Sequence, residues 1–343
     1  MHILVTGATG YIGGRLIERL LHEGHEVRVL VRSAQRVAAR PWSEDVHVVE
    51  ADLLEPSTLA GVLDGIDVAY YLVHAMGSSG DFALRDRQAA RNFVDAAAQG
   101  VGQVIYLGGI LPGGREGNPA STHLSSRAEV GQILREGLST TEFRAGPIIG
   151  SGSASFEMVR YLTERLPVMV APKWILNEVQ TIGTADIISY LVQAAGRTDV
   201  EGILEVGAEP LTFKRMMEVY AEVRGLPRVI IPLPVLTPRL AALWVGLVTP
   251  IPNSLAVPLV EGIVHPVVGD PSRALRLFPR IRPASYRQAV ERAVERTEAG
   301  DVVTRWSDAA GGAPRVRFAD REGVVREVRT RIVDATPDAV FRS

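Results

Sequence analysis

The chain begins His2-Ile3-Leu4-Val5-Thr6-Gly7-Ala8-Thr9-Gly10-Tyr11-Ile12-Gly13, and Arg15, Leu16 and Ile17 continue in a helical pattern. Ile3–Thr6 reads as a short apolar strand, and the three glycines fall where that strand turns into a helix. Each glycine has its own use. Gly7 permits a tight turn, Gly10 lets backbone come close to a ligand without a Cβ in the way, and Gly13 lets the helix lie against the strand. The helix start then aims free N–H groups at whatever sits before it, which suits a pyrophosphate. Thr9, Tyr11 and Ile12 fill the loop and belong to the same expected site. A glycine-rich turn without any ligand is the other reading; the strand–helix context favours a dinucleotide.

Outward from this loop, apolar runs and helical patterns alternate. Ile3–Thr6, Val27–Val31, Val46–Glu50, Val68–Val73, Val104–Leu107 and Glu142–Ala145 read as strands, several of them apolar on both faces. That is the mark of a sheet covered on both sides. Helical patterns lie between them at 11–23, 56–63, 82–99 and 123–137. The alternation implies right-handed βαβ units in an α/β, doubly wound parallel Rossmann sheet. After Gly150 the pattern is less regular. Helices are expected over Ser155–Arg165, Asp186–Ala195, Phe213–Arg224 and Tyr286–Thr297, and Ile203–Val206 is expected to return to the sheet. The expected division is a dinucleotide-binding domain over 1–150 plus about 183–207. A smaller, mostly helical substrate subdomain covers 151–182 plus 208–299. Residues 300–315 read as a linker, Val324–Val333 as a strand and Pro337–Phe341 as a helix start.

The 343 residues carry a formal charge of −2, which gives no basic surface for nucleic acid. There is no cysteine, which excludes disulfides, zinc–thiolate and iron–sulfur sites and a thiol nucleophile. No metal site is expected. The N-terminal apolar run is too short for a secretory signal, so a cytoplasmic protein is expected. Leu240–Val260 is 21 residues without a charge, but Pro250, Pro252 and Pro258 interrupt it. It reads as buried or lid helices rather than a membrane span, with peripheral membrane contact as the alternative.

A site for NAD(H) usually carries an acid at the end of the second strand, where it holds the ribose 2′-hydroxyl. Here that place reads Val31-Arg32-Ser33, with Arg36 one helical turn on. A carboxylate would repel a 2′-phosphate, whereas a guanidinium grips one with paired hydrogen bonds. The residues favour NADP(H). NAD(H) is possible if Arg32 only stacks on the adenine.

The spacing G-x-x-G-x-x-G in Thr6–Gly13 resembles that of the extended and atypical short-chain dehydrogenase/reductases, over roughly residues 1–300. The resemblance implies Asp52, followed by Leu53, beside the adenine amino group. It also implies the backbone of Leu72-Val73-His74 along the cofactor ribose and Gly108 at the end of strand five. Pro147 and Ile148, in the turn Arg144–Gly150, would meet the nicotinamide carboxamide. Tyr71-Leu72-Val73-His74-Ala75-Met76-Gly77, Asp86-Arg87-Gln88-Ala89-Ala90 and Gly150–Glu157 are similar to bacterial atypical reductases that carry a second, START-like domain. The ending Ala335-Thr336-Pro337-Asp338-Ala339-Val340-Phe341 resembles the start of such a domain. Residues 316–343 are therefore either a second domain cut short or a C-terminal arm. The group is also similar to the NADPH-holding accessory subunit of respiratory complex I and to NmrA-type redox sensors, which bind dinucleotide without clear turnover. In relatives the helices at 82–99 and 123–137 form a dimer face, so a monomer or homodimer is expected.

The family works with a Ser or Thr after strand five and a Tyr-x-x-x-Lys on the next helix, the tyrosine exchanging a proton with substrate. Here Val104-Ile105-Tyr106-Leu107 is followed by Gly108-Gly109, and no lysine precedes Lys173. Ser126-Arg127 matches the family's Ser-Lys, which puts His123 at the tyrosine's place. Two readings stay open. In one, His123 is the proton donor and Arg127, one turn on, holds the ribose; histidine titrates near neutrality without a lysine's help. In the other, the site binds cofactor and does no chemistry. His74, Tyr106 and Tyr161 are further possible donors. On the substrate side Phe156, Tyr161 and Trp174, with Met158, Met169 and Trp244, point to a small hydrophobic ligand such as a quinone, lipid or isoprenoid.

Overall fold

The computed structural model describes residues 1–74, 82–98, 100–112, 121–233, 245–246, 248–307, 315–321 and 324–330, the last two stretches as backbone only. The sequence-expected features at Ala75–Gly77, Trp244 and Pro337–Phe341 lie outside the described residues. In chain order the elements are β1 (His2–Thr6), α1 (Tyr11–His22), β2 (Glu26–Val31), β3 (His47–Glu50), β4 (Val68–Tyr71), α2 (Phe82–Ala97), β5 (Gln103–Gly109), α3 (Thr122–Gly137) and β6 (Thr140–Ala145). There follow β7 (Ile148–Ile149), α4 (Ala154–Arg165), β8 (Val168–Pro172), β9 (Glu178–Gln180), β10 (Ile182–Gly183), α5 (Thr184–Ala194), β11 (Gly202–Val206), β12 (Pro210–Thr212), α6 (Phe213–Val223) and β13 (Val229–Leu233). The described chain closes with α7 (Asn253–Glu261), α8 (Ser272–Leu277), α9 (Tyr286–Glu298), β14 (Arg315–Arg321) and β15 (Val324–Thr330).

Seven parallel strands form one sheet in the order β11-β6-β5-β4-β1-β2-β3. This is the expected doubly wound Rossmann-type sheet, and β11 is the strand that returns to it. Its order reverses between β1 and β4, and in such sheets ligands bind outside the carboxyl ends of the strands at that reversal. Leu16, Ile17 and Leu20 of α1 and Ile187 and Leu191 of α5 are buried against one face. Phe93 of α2 and Leu134 of α3 are buried against the other, with Phe93 edge-on to Tyr71 at 5.1 Å. A second apolar core joins α4, β8, α6, α7 and α9 through Phe156, Met217, Tyr220 and Val290.

The structure departs from the sequence reading at several boundaries. The expected helix at 56–63 is only a 3-10 turn, Pro56–Leu59, because Gly61 and Gly65 take positive φ, at +72° and +71°, and break the run. β4 stops at Tyr71 rather than Val73, since the N–H of Leu72 leaves the ladder to donate to Thr6 Oγ1 at 3.1 Å. β5 runs on through Gly108 and Gly109, which pair with Arg144 and Ala145 of β6. Residues 302–307 are not a free linker. Thr304 is buried, its hydroxyl donates to the Tyr11 carbonyl at 2.9 Å and accepts from Arg15 Nε at 2.8 Å, and Trp306 N–H donates to the Gly152 carbonyl. Arg315–Arg321, assigned in the sequence to a linker end and beyond, pairs antiparallel with β15.

Candidate functional site

The phosphate loop is built mostly by what glycine leaves out. Gly7 has φ +71°, and a Cβ there would lie 2.6 Å from the Leu72 carbonyl oxygen, so β4's end closes on the loop. A Cβ at Gly13 would lie 2.2 Å from the Gly7 oxygen. Gly10 differs: its N–H is spent on Gly7, but a Cβ there would meet only the Gly7 oxygen, at 3.2 Å, and otherwise open space. Gly10 is also the N-cap of α1, which has no side-chain cap and no acidic residue in its first turn. The first-turn N–H groups at Tyr11, Ile12 and Gly13 thus face an anion site with nothing of the protein's own to neutralise them. Tyr11's phenol points elsewhere, to Thr184 Oγ1 at 2.9 Å and the Ser151 carbonyl at 3.2 Å. Thr9 contributes its carbonyl as an acceptor for Arg40.

On the adenine side Arg32 is exposed at the end of β2 and Ser33 precedes a 3-10 turn that contains Arg36. Burial, and then the like charge of Arg32, lower the Arg36 pKa, so the two cations are near enough to repel. An anion between them would relieve that. Arg40, which sequence reasoning did not single out, is buried and reaches the Thr9 carbonyl at 3.3 Å, bracing the loop from behind. Its only signal was a spacing of four from Arg36. Glu50 is occupied, accepting from the Ala34 N–H at 2.6 Å. Asp52 caps locally, accepting the Leu54 N–H at 3.0 Å, while Leu53 is buried and its carbonyl accepts from Asn92 at 2.7 Å.

At the nicotinamide side the structure brings His74, Tyr106, His123 and Arg127 together. The His74 and His123 rings are 5.9 Å apart. Arg127 Nη2 donates to the Leu107 carbonyl at 2.5 Å, and the Tyr106 hydroxyl donates to the Arg127 carbonyl at 3.0 Å. Arg127 Nε is buried with no acceptor among the described residues. Burial, and next the Arg127 charge, push the His123 pKa down to about 4, and the same causes hold His74 well below the ordinary histidine range. Both imidazoles are neutral at pH 7, beside a fixed cation. Leu72 and Val73 are half-buried and lead the chain from the phosphate loop to His74.

The missing serine has a structural cause. A Cβ at Gly108 would lie 2.9 Å from Glu142 Oε1, and one at Gly109 would lie 2.9 Å from Leu124 Cδ2. Glu142 is itself fully buried, held by Arg144 at 2.6 Å and by Arg135. Ser126 is turned away, its hydroxyl donating to buried Asp86 at 3.1 Å. Pro147 and Ile148 lie in a pinned turn: the Pro147 carbonyl accepts from Ile182, and the Ile148 carbonyl accepts from Ser153, the cap of α4.

The three sequence-selected substrate residues separate. Phe156 is buried in edge contact with Tyr220 at 5.9 Å, and Tyr161 is buried between Arg160 and Arg165. Neither lines the apolar cavity beside them. Trp174 does: with Met158, Met169 and Met217 it lines a partly open apolar cavity. Among the described residues there is no cluster of three or more His, Asp or Glu that could hold a metal, and no helix long and apolar enough to cross a membrane.

A nicotinamide dinucleotide fits this groove on three structural counts: the uncapped α1, the open side of Gly10 and the orphaned Arg127 Nε. The family model described as NAD(P)H-binding matches residues 7–139. A 3β-hydroxysteroid dehydrogenase/Δ5→4-isomerase of Mycobacterium tuberculosis is 31% identical over 91 residues, 26% of this chain and 24% of that protein. The match therefore spans about a quarter of that relative's length. A ceramide reductase of Caulobacter vibrioides is 29% identical over 237 residues, 66% of this chain and 72% of that one. A nucleoside-diphosphate-sugar epimerase of Staphylococcus aureus superposes with a TM-score of 0.68 at 16% identity, covering 85% of this chain and all of that one. Residues 7–139 thus match an NAD(P)H-binding domain, and the fold is the one seen in that solved epimerase.

Proposed function

We propose that the protein is an NADPH-dependent reductase of a hydrophobic carbonyl or quinone. The observation that carries this reading is the group at the nicotinamide end: a neutral His123, a neutral His74 and a charged Arg127 with an unused N–H. A reduced nicotinamide supplies hydride. The chain's own part is then to polarise the acceptor oxygen and to stabilise the alkoxide that hydride transfer makes, the completing proton coming from water. A neutral imidazole N–H donates a hydrogen bond to a carbonyl oxygen, and a nearby guanidinium favours the negative charge that grows there. Arg127 is anchored by the Leu107 carbonyl and by the contact of Tyr106 with its own carbonyl, so it needs no rearrangement to act. Its Nε suits either a ribose hydroxyl or the substrate oxygen.

The NADP(H) preference rests on Arg32 and Arg36, whose mutual repulsion a 2′-phosphate would offset. Arg32→Ala should weaken NADPH binding about tenfold or more, in line with the loss of a charge-assisted contact, and leave NADH nearly unchanged. Equal losses for both coenzymes would remove Arg32 from that role.

A second reading, a non-catalytic NADP(H) sensor or accessory subunit, is favoured by one observation: there is no room for a serine at Gly108. The two readings part on turnover. The reductase reading expects NADPH consumption with long-chain ketones or quinones, lost in His123→Ala while NADPH still binds. Tight binding without consumption above background across such a panel leaves the sensor reading. The sequence-based START-like continuation beyond residue 315 is retained as part of this proposal, as are the 151–182 plus 208–299 substrate subdomain and a cytoplasmic location.

A further inference from the structure

The cavity under α4 has features that specify its occupant more closely than "hydrophobic". Its lining comes from α4 (Met158, Leu162), β8 and the turn after it (Met169, Trp174), α6 (Phe213, Met217) and the α7 end. Among the described residues, the lining is apolar apart from the Trp174 indole. Three of the chain's six methionines are among them. Methionine is unbranched and polarizable, and it conforms to an irregular or flexible guest where a β-branched wall would demand one rigid shape. Trp174 adds the polar signal: its Nε1–H is buried and has no acceptor among the described residues. An empty apolar cavity gives a buried donor nothing, whereas a guest with one acceptor oxygen satisfies it.

The cavity also lies close to the proposed reaction site along one helix. Ser153 caps α4 and donates to the Ile148 carbonyl in the turn at the nicotinamide end. Met158 is five residues further along α4, roughly 7 Å of helix rise, and Leu162 is one turn beyond.

We propose that this cavity binds one unbranched acyl chain, with the carbonyl oxygen of its amide, ester or acid accepting the Trp174 indole N–H. This deepens the reductase reading: the substrate class is a long-chain acyl lipid whose tail is held in the second core. No covalent step is involved; the site contributes binding and orientation.

The test uses the full chain with cis-parinaric acid as a fluorescent unbranched probe and saturated primary amides as competitors. The expected result is saturable binding of one probe per chain, with tetradecanamide competing at least tenfold better than hexanamide. Met169→Trp, which fills the cavity, should lower probe affinity at least tenfold. Trp174→Phe should weaken tetradecanamide threefold to tenfold. NADPH affinity, read by its own fluorescence, should stay within twofold in both variants, which also reports that they fold. Competition independent of chain length in the unaltered protein would overturn the proposal, and so would undiminished probe binding in a folded Met169→Trp. Probe binding without NADPH turnover would retire the reductase reading and keep the acyl site. Turnover of short ketones without probe binding would do the reverse.

Discussion

A methyl group at Gly13 would press on the Gly7 carbonyl oxygen at 2.2 Å, inside the loop, whereas one at Gly10 would meet that oxygen at 3.2 Å and otherwise face outward. The two glycines therefore fail in different ways. Gly13→Ala should destabilise the fold by about 1–3 kcal/mol, as overpacking does, with loss of binding as a consequence; urea denaturation checks this. His123 makes a separate prediction. Its folded pKa of about 4 is below the ordinary histidine value of 6.5, so the unfolded chain binds the proton more readily. The stabilisation is then complete above pH 6.5 and lost as pH falls towards 4. Between pH 7 and 5 the protein should lose roughly 2 kcal/mol through this residue, and His123→Asn should remove that part of the loss. The three glycines, Arg32 and the His123–Arg127 pair were visible in sequence because each follows a fixed spacing from a motif. Arg40 and Glu142 were not, because their roles depend on contacts across 31 residues or across two strands, which no spacing rule encodes, and Asp86 was visible only as part of a family motif, without its bond to Ser126.

Elements were legible where a long period or a strong strand signal existed, and they blurred where a single side chain decides an end. α2, α3, α4, α5, α6 and α9 fall within a residue or two of their expected spans, since each has an apolar face at helical spacing. β4 is shorter than its apolar run because the Thr6 hydroxyl captures the next N–H. The 56–63 pattern had helical spacing but also Gly61, whose φ of +72° ends the turn. The stretch after α9 was read from composition alone, and composition cannot show that Thr304 fits against α1. Its hydroxyl bonds both Arg15 and the Tyr11 carbonyl, and a Cβ at Gly14 would touch its methyl at 2.8 Å. Thr304→Val keeps the shape and removes the hydroxyl. It should lower stability by about 1–3 kcal/mol, since it leaves buried partners unpaired, and a thermal or denaturant midpoint measures this. No change would mean that the strap only rests on α1.

Across the whole molecule, the reversal between β1 and β4 brings together three contributions, the α1 start, the arginines after β2 and the His–Arg group after β4 and at the start of α3, while the cavity under α4 belongs to the second core. The sheet order was predictable because βαβ units are right-handed and sequential. The cavity was not, because it is lined by segments between residues 158 and 263 with little periodic signal. In the proposed reading, a diphosphate at the uncapped helix start beside Gly10 would unite these parts. The direct test is a fluorescence titration of NADPH against the unaltered chain and Gly10→Ala, with circular dichroism to confirm that both are folded. Saturable binding of one NADPH per chain, weakened at least tenfold by the added methyl at unchanged fold, is the predicted result. No binding to the unaltered chain, or equal affinity in Gly10→Ala, would contradict it.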